Sequence, residues 1–196
     1  MNKPVKPPQS EARVPPELAR PHIRLDGGVG DDMLHAFREG LDAVEGGDDA
    51  VVLELSTMGG DADIGRLIAT DVRLFRERTG RRVIFFGKAV VYSAGVTIMA
   101  AVPRKDRWLS RDTSLLIHCR SLNKTLQLDG ALSLERIRLE AVLAGIDVGI
   151  KLEQQGFEAL IAGSDVGMEE LLERARSNWY LDADEALRRR LIGGVV

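Results

Sequence analysis

Residues 81–101 read RRVIFFGKAVVYSAGVTIMAA. Within them Arg82 to Phe86 (RVIFF) is an apolar run of strand length, rich in β-branched and aromatic residues. A segment from Gly87 to Gly95 leaves that strand and enters a second apolar run, Ser93 to Ala101, whose helix must end before Pro103. A buried strand feeding directly into a buried helix is the unit of an α/β protein with a mainly parallel sheet. The same alternation extends outward on both sides. Upstream, Ala50 to Leu55 (AVVLEL) predicts a strand and Ile64 to Arg78 a helix, with Ile64, Leu67, Ile68, Val72 and Phe75 on one face and Thr79-Gly80 as its stop. Further upstream, His22 to Leu25 alternates as a short strand. Asp26 to Gly30 makes a turn, and Asp31 to Val44 a helix with Asp31 as its cap. Downstream, Asp106 to Leu109 and Ser114 to His118 predict two short strands. Helices are expected from Ser133 to about Gln154, from Asp165 or Val166 to Arg176, and from Asp184 to Arg190, before the apolar terminus Leu191 to Val196.

Proline placement divides the chain. Of seven prolines in 196 residues, six (Pro4, Pro7, Pro8, Pro15, Pro16 and Pro21) fall within the first 21. Repeated proline removes backbone donors and biases its neighbours away from helix, so residues 1–21 are expected to form a flexible leader and residues 22–196 a single domain. The leader has four basic residues against two acidic ones. With 27 Lys+Arg, 30 Asp+Glu and a net charge of −3 overall, the body carries −5. A negative body with few aromatic residues and no basic stripe argues against nucleic-acid binding. No apolar run approaches the roughly 20 residues of a spanning helix, and the N-terminus lacks a secretory apolar stretch, so a cytoplasmic protein is expected. The single cysteine, Cys119, agrees with a reducing compartment and reads as a small buried residue more readily than as a nucleophile.

Three segments could carry chemistry. Among three histidines, His22 adjoins the leader and His35 lies mid-helix on a polar face, whereas His118 ends the strand Leu115-Leu116-Ile117, where a parallel sheet delivers side chains to its carboxyl edge. Taken alone, His118 is a structural histidine or a general base. Ser93 stands at a helix start, as an N-cap or as a nucleophile among free backbone donors. Ser56-Thr57-Met58-Gly59-Gly60-Asp61 follows a strand, and its glycine pair is a simple turn or a place where backbone N–H groups approach a substrate. It lacks the Gly-Lys-Ser/Thr ending of a phosphate loop.

The order of these segments resembles the Clp protease proteolytic subunit (ClpP) family and the wider ClpP/crotonase superfamily. The matching stretches are Ser56-Thr57-Met58-Gly59-Gly60, Gly87 to Gly95, Ile117-His118, and Tyr180-Leu181-Asp182-Ala183-Asp184-Glu185-Ala186 followed by Arg190-Leu191-Ile192-Gly193. They span residues 22–196. The resemblance implies a spiral of repeated β-β-α units and a serine peptidase that cleaves through an acyl-enzyme on Ser93 with His118 as general base. It places Asn178 where the family carries the triad aspartate. The oxyanion hole would be formed by the backbone N–H groups of Gly59 and Ala94. It also implies a ring-type homo-oligomer, a peptide or unfolded-protein substrate, and an ATP-dependent unfoldase as a candidate partner, with no cofactor and no metal.

This chain departs from the pattern in four places. Asn178 can hold an imidazole but cannot offset its positive charge as a carboxylate does. The alternative reading of Asp182 as the triad acid competes with its reading as an N-cap. The segment from Gly87 to Ser93 is two residues longer than the family's Gly-x-Ala-x-Ser, Met58 stands where the family has proline, and the stretch around Ser121 to Leu132 is extended. Two other readings remain open: a crotonase-type acyl-CoA enzyme using the Gly59 turn, and a weakly active or inactive scaffold or regulatory subunit.

Overall fold

The computed structural model describes residues 13–47 and 49–196. Most of the expected leader, residues 1–12, lies outside the described residues. The described part contributes a 3-10 turn, Pro16–Ala19, whose Leu18 is buried against Val52, Ile84 and Trp108.

In chain order the elements are β1 (Ile23–Asp26), α1 (Asp31–Val44), β2 (Val51–Thr57), α2 (Ala62–Thr79), β3 (Val83–Tyr92), α3 (Ala94–Ala100), β4 (Arg107–Leu109), β5 (Ser114–Ile117), α4 (Leu132–Ile161), α5 (Met168–Ala175), β6 (Trp179–Asp182), α6 (Ala183–Arg188) and β7 (Gly194–Val195). One sheet runs β1-β2-β3-β4-β7 in parallel. β5 joins it parallel to the far half of β3, and β6 closes that end antiparallel to β5. The mainly parallel α/β reading therefore holds. Strand alternation sorts the core: Leu53 and Leu55 face the main cluster with Phe37, Ile68, Phe85 and Ile98, while Val52 and Ile84 point to the opposite face, under Leu18.

Local chemistry sets several boundaries. Asp61 caps α2 by accepting hydrogen bonds from the Asp63 N–H at 2.7 Å and the Ile64 N–H at 3.1 Å, and Gly80 ends that helix at φ 68°. Asp182 caps α6 through the Glu185 N–H at 2.7 Å, so the N-cap reading of that residue is the one realised. At α1 the cap position falls on Gly30 instead of Asp31, which begins the helix itself. α4 runs on to Ile161, beyond the expected end near Gln154, and the added stretch buries Phe157 and Leu160.

β3 differs most from expectation. It does not stop at Phe86 but continues to Tyr92. Against β2, Leu55 pairs with Gly87 and the next registered pair is Thr57 with Val91, so two extra residues of β3 are taken up in a bulge containing Ala89 at φ 55°. Before the bulge β3 pairs with β4, and after it with β5. The two-residue excess is absorbed within the strand, and Ser93 still follows its last residue.

One buried cation joins three distant segments. Arg107, on β4, donates from Nε to Val102 O at 2.8 Å, from Nη1 to Leu160 O at 2.7 Å and Leu191 O at 3.1 Å, and from Nη2 to Ala100 O at 3.2 Å and Ala159 O at 2.9 Å. All five guanidinium N–H donors are thus used on carbonyls. Ala100, Ala159 and Leu160 lie in the last turns of α3 and α4 and Val102 just past α3, where carbonyls lack intrahelical partners. Burial and the neighbouring Arg104 pull Arg107 down to about 10, which leaves it charged at neutral pH. Replacing Arg107 with methionine strands five buried acceptors. It is expected to cost about 3–5 kcal/mol, seen by calorimetry as a fall in Tm on the order of 10 °C. Arg107→Lys, with three donors, should recover part of the loss.

Candidate active site

Ser93 occupies a sharp turn between β3 and α3, at φ 54° and ψ −115°. This is sparsely populated backbone for any residue with a Cβ, and it costs about 1–3 kcal/mol. Two backbone bonds hold it there: the Ser93 N–H donates to Leu116 O at 2.9 Å, and its carbonyl accepts from the Val96 N–H at 2.9 Å. Its hydroxyl makes no capping bond to α3, so the helix-cap role left open by the sequence is not realised. The glycine turn lies directly against it. A Cβ on Gly59 would come within 2.8 Å of Ser93 Cβ, and Gly59 adopts φ 96°, so no larger residue fits there.

Parallel pairing brings the histidine to the same edge. Tyr92 is registered with Leu116, and neighbouring strands lie about 4.8 Å apart, so the residues that follow them emerge side by side. Ser93 and His118 both line one cavity of about 370 Å³, together with Gly60, Ala94, Arg120, Glu153 and other residues of α2, α3 and α4. Its base is apolar, with Val96, Ile117, Phe157 and Leu160.

His118 Nδ1 lies 2.7 Å from the Cys119 carbonyl oxygen. A carbonyl only accepts, so Nδ1 carries the proton and Nε2 is the acceptor of the neutral ring. His22 shows the opposite arrangement: its Nδ1 accepts the Val52 N–H at 3.0 Å, tying β1 to β2 as a structural histidine.

The expected third member lies at the end of the β5–β6 pairing. The antiparallel pair Ile117 with Trp179 continues to place Asn178 opposite His118, in a turn at φ 59° that asparagine tolerates. Asn178 is exposed, however, is not part of the cavity wall, and makes no side-chain hydrogen bond among the described residues, while the ring nitrogen it was expected to hold is taken by the Cys119 carbonyl.

The glycine turn places its two N–H groups differently. The Gly59 N–H is committed inside the turn, donating to Thr57 Oγ1 at 3.0 Å, and its carbonyl accepts from Val29. Gly60, not Gly59, lines the cavity, and its N–H makes no hydrogen bond among the described residues. Ala94, the other expected donor, does line the cavity.

Sequence reading missed Arg66, Arg120 and Glu153. Arg66 reaches Leu152 O of α4 at 3.3 Å, and Arg120 pairs with Asp63 at 2.8 Å, so α2, the segment after β5, and α4 are laced together around the cavity. Arg120 follows His118 by two residues, but Glu153 reaches that segment only in space, from α4, which no short spacing signals. Cys119 is half-buried, and its thiol is pushed up chiefly by burial and by the charge of Glu153. Among the described residues no group of three or more His, Cys, Asp or Glu gathers as a metal site, and no helix is long and apolar enough to cross a membrane.

Among solved structures, the chain is similar to ClpP1 from Listeria monocytogenes, solved as an asparagine-to-aspartate mutant. The TM-score is 0.67 at 17% identity, and the match covers 89% of this chain and 90% of that one. No family model and no curated protein sequence matches. The likeness shows a ClpP-like fold.

Strain at Ser93 has a measurable consequence. Ser93→Gly, which relieves the positive φ, should be more stable than Ser93→Ala by about 1 kcal/mol in urea unfolding; equal midpoints would show that the turn stores no strain.

Proposed function

We propose that this chain, on a ClpP-like fold, is a serine peptidase that cleaves peptide bonds through an acyl-enzyme on Ser93. The observation that carries the reading is the strained strand-to-helix serine sharing a cavity with a histidine whose Nδ1 is already held, so that Nε2 is the nitrogen left to accept a proton. The expected spiral of β-β-α units belongs to the same reading.

In this mechanism the Ser93 hydroxyl attacks the scissile carbonyl while His118 Nε2 takes its proton, and the ring returns that proton to the leaving amine. A water then repeats the sequence against the acyl-serine, releasing the second product. The oxyanion formed in each half meets the N–H groups of Gly60 and Ala94. Among the described residues no carboxylate contacts the His118 ring directly, so the imidazolium is met by a carbonyl dipole and turnover is modest. Asn178 lies just past the end of the β5–β6 pairing, opposite His118, so an aspartate there would bring a full negative charge toward that end of the site.

Self-assembly belongs to the same proposal. α4 is 30 residues long, about 45 Å at 1.5 Å per residue, yet buries only Glu135, Phe157 and Leu160. Leu132 (89% exposed), Ile137, Leu143 and Val148 stand in solvent along it. Apolar residues in that number mark a surface that another copy would cover. The substrate is a peptide or unfolded segment threaded to the cavity, and an ATP-dependent unfoldase is a candidate partner. The acyl-CoA alternative has no feature of the cavity in its favour.

A fluorophosphonate probe tests the chemistry. Wild type should label at one serine, Ser93→Ala should not label, His118→Ala should slow labelling on the order of 10³-fold, and Asn178→Asp should speed it roughly tenfold. Labelling of Ser93→Ala at the wild-type rate would sink the nucleophile assignment. Assembly is read separately by light scattering: Leu143→Glu combined with Val148→Glu should reduce the wild-type mass to that of a smaller species, and an unchanged mass would place the contact elsewhere.

A further inference from the structure

The Cys119–Arg120 peptide group, one residue past His118, is engaged at both ends. Its carbonyl, belonging to Cys119, accepts the His118 Nδ1–H at 2.7 Å, and its N–H, belonging to Arg120, donates to Glu153 Oε2 on α4. The two ends of one amide are coupled by resonance, so a carboxylate at the N–H end draws the amide dipole toward itself and enriches the carbonyl oxygen in negative charge. An acceptor enriched in this way holds an imidazole N–H more firmly and better stabilises the ring when it becomes positive.

The surroundings leave Glu153 free to act so. Arg120 spends Nη2 on Asp63, and Arg66 spends Nη1 on the Leu152 carbonyl. Among the described residues neither guanidinium forms an ion pair with Glu153. Burial and the charge of that carboxylate both push the Cys119 thiol up. Glu153 therefore clamps residues 119 and 120 from the cavity wall, at the place where the sheet edge turns away from His118.

We infer that Glu153 is a positioning residue for His118, acting through the Cys119–Arg120 peptide to fix the Nδ1–H tautomer and to supply at one remove the negative charge that Asn178 cannot. The inference rests on the reading of His118 as general base. No proton travels along the relay: the proton from Ser93 stays on Nε2 until the leaving amine takes it, and Glu153 contributes charge and orientation only.

Nitrogen-15 NMR of the histidine rings in the full-length protein tests the relay without needing activity, with His22 as an internal reference for the opposite tautomer. Wild type should show His118 with its proton on Nδ1. Glu153→Ala should shift most of the population to Nε2–H. Glu153→Gln, which keeps an acceptor oxygen and the fold but loses the charge, should retain the tautomer and slow fluorophosphonate labelling about tenfold, while Glu153→Asp should recover to within about threefold of wild type. A tautomer unchanged in Glu153→Ala, or a Glu153→Gln labelling rate within twofold of wild type, overturns the inference. Failure of the peptidase reading shows differently, as a wild type that never labels at Ser93, and the tautomer measurement then decides the relay alone.

Discussion

A buried guanidinium joins parts of this chain that lie more than eighty residues apart. Arg107 gathers carbonyls from the end of α3, the end of α4 and Leu191 near the C-terminus, all of them backbone oxygens. The cation is tolerated in the core because each N–H finds an oxygen and because helix C-termini carry partial negative charge. The geometry of the cavity follows from this joint. α3 follows directly on Ser93, and the last turns of α4 provide Phe157 and Leu160, so Arg107 ties the far end of α3 to the very turn of α4 that forms the cavity's far wall.

Much of the fold was legible because it depends on patterns that survive in a single chain. The run RVIFF, the periodic face of α2 and the Gly80 stop are local: α2 matches its expected bounds within two residues and β3 starts within one of its expected start, though it runs on to Tyr92. Two strands escaped. β7 has two residues, and β6 has four with an exposed Tyr180, too few for alternation to stand out from the helix caps around them. Both exist because neighbouring strands provide hydrogen-bonding edges, a property of the assembled sheet.

The site was legible to a different depth at each residue. Ser93 and His118 could be picked out because strand ends and helix starts are visible in the sequence. The choice between Gly59 and Gly60 could not, since it turns on the Thr57 hydroxyl capturing one of two neighbouring N–H groups. The partner of His118 was equally hidden. Side-chain partners leave a letter in the sequence, whereas the oxygen that holds this ring belongs to the backbone, and any residue at position 119 would provide it. Arg66, Arg120 and Glu153 meet only once α2 and α4 have packed across the sheet edge.

The bulge in β3 shows why the longer segment before Ser93 leaves the interior undisturbed. Gly87 and Val91 are an even number of steps apart, as are their partners Leu55 and Thr57, so inward and outward positions keep their parity across the irregularity. An extra single residue would have turned Val91 and everything after it to the other face and moved the serine out of the cavity. Insertions in pairs are neutral to a two-period element. The stretch that ends at Ser93 can therefore take up residues by twos while the strand-to-helix turn stays in place.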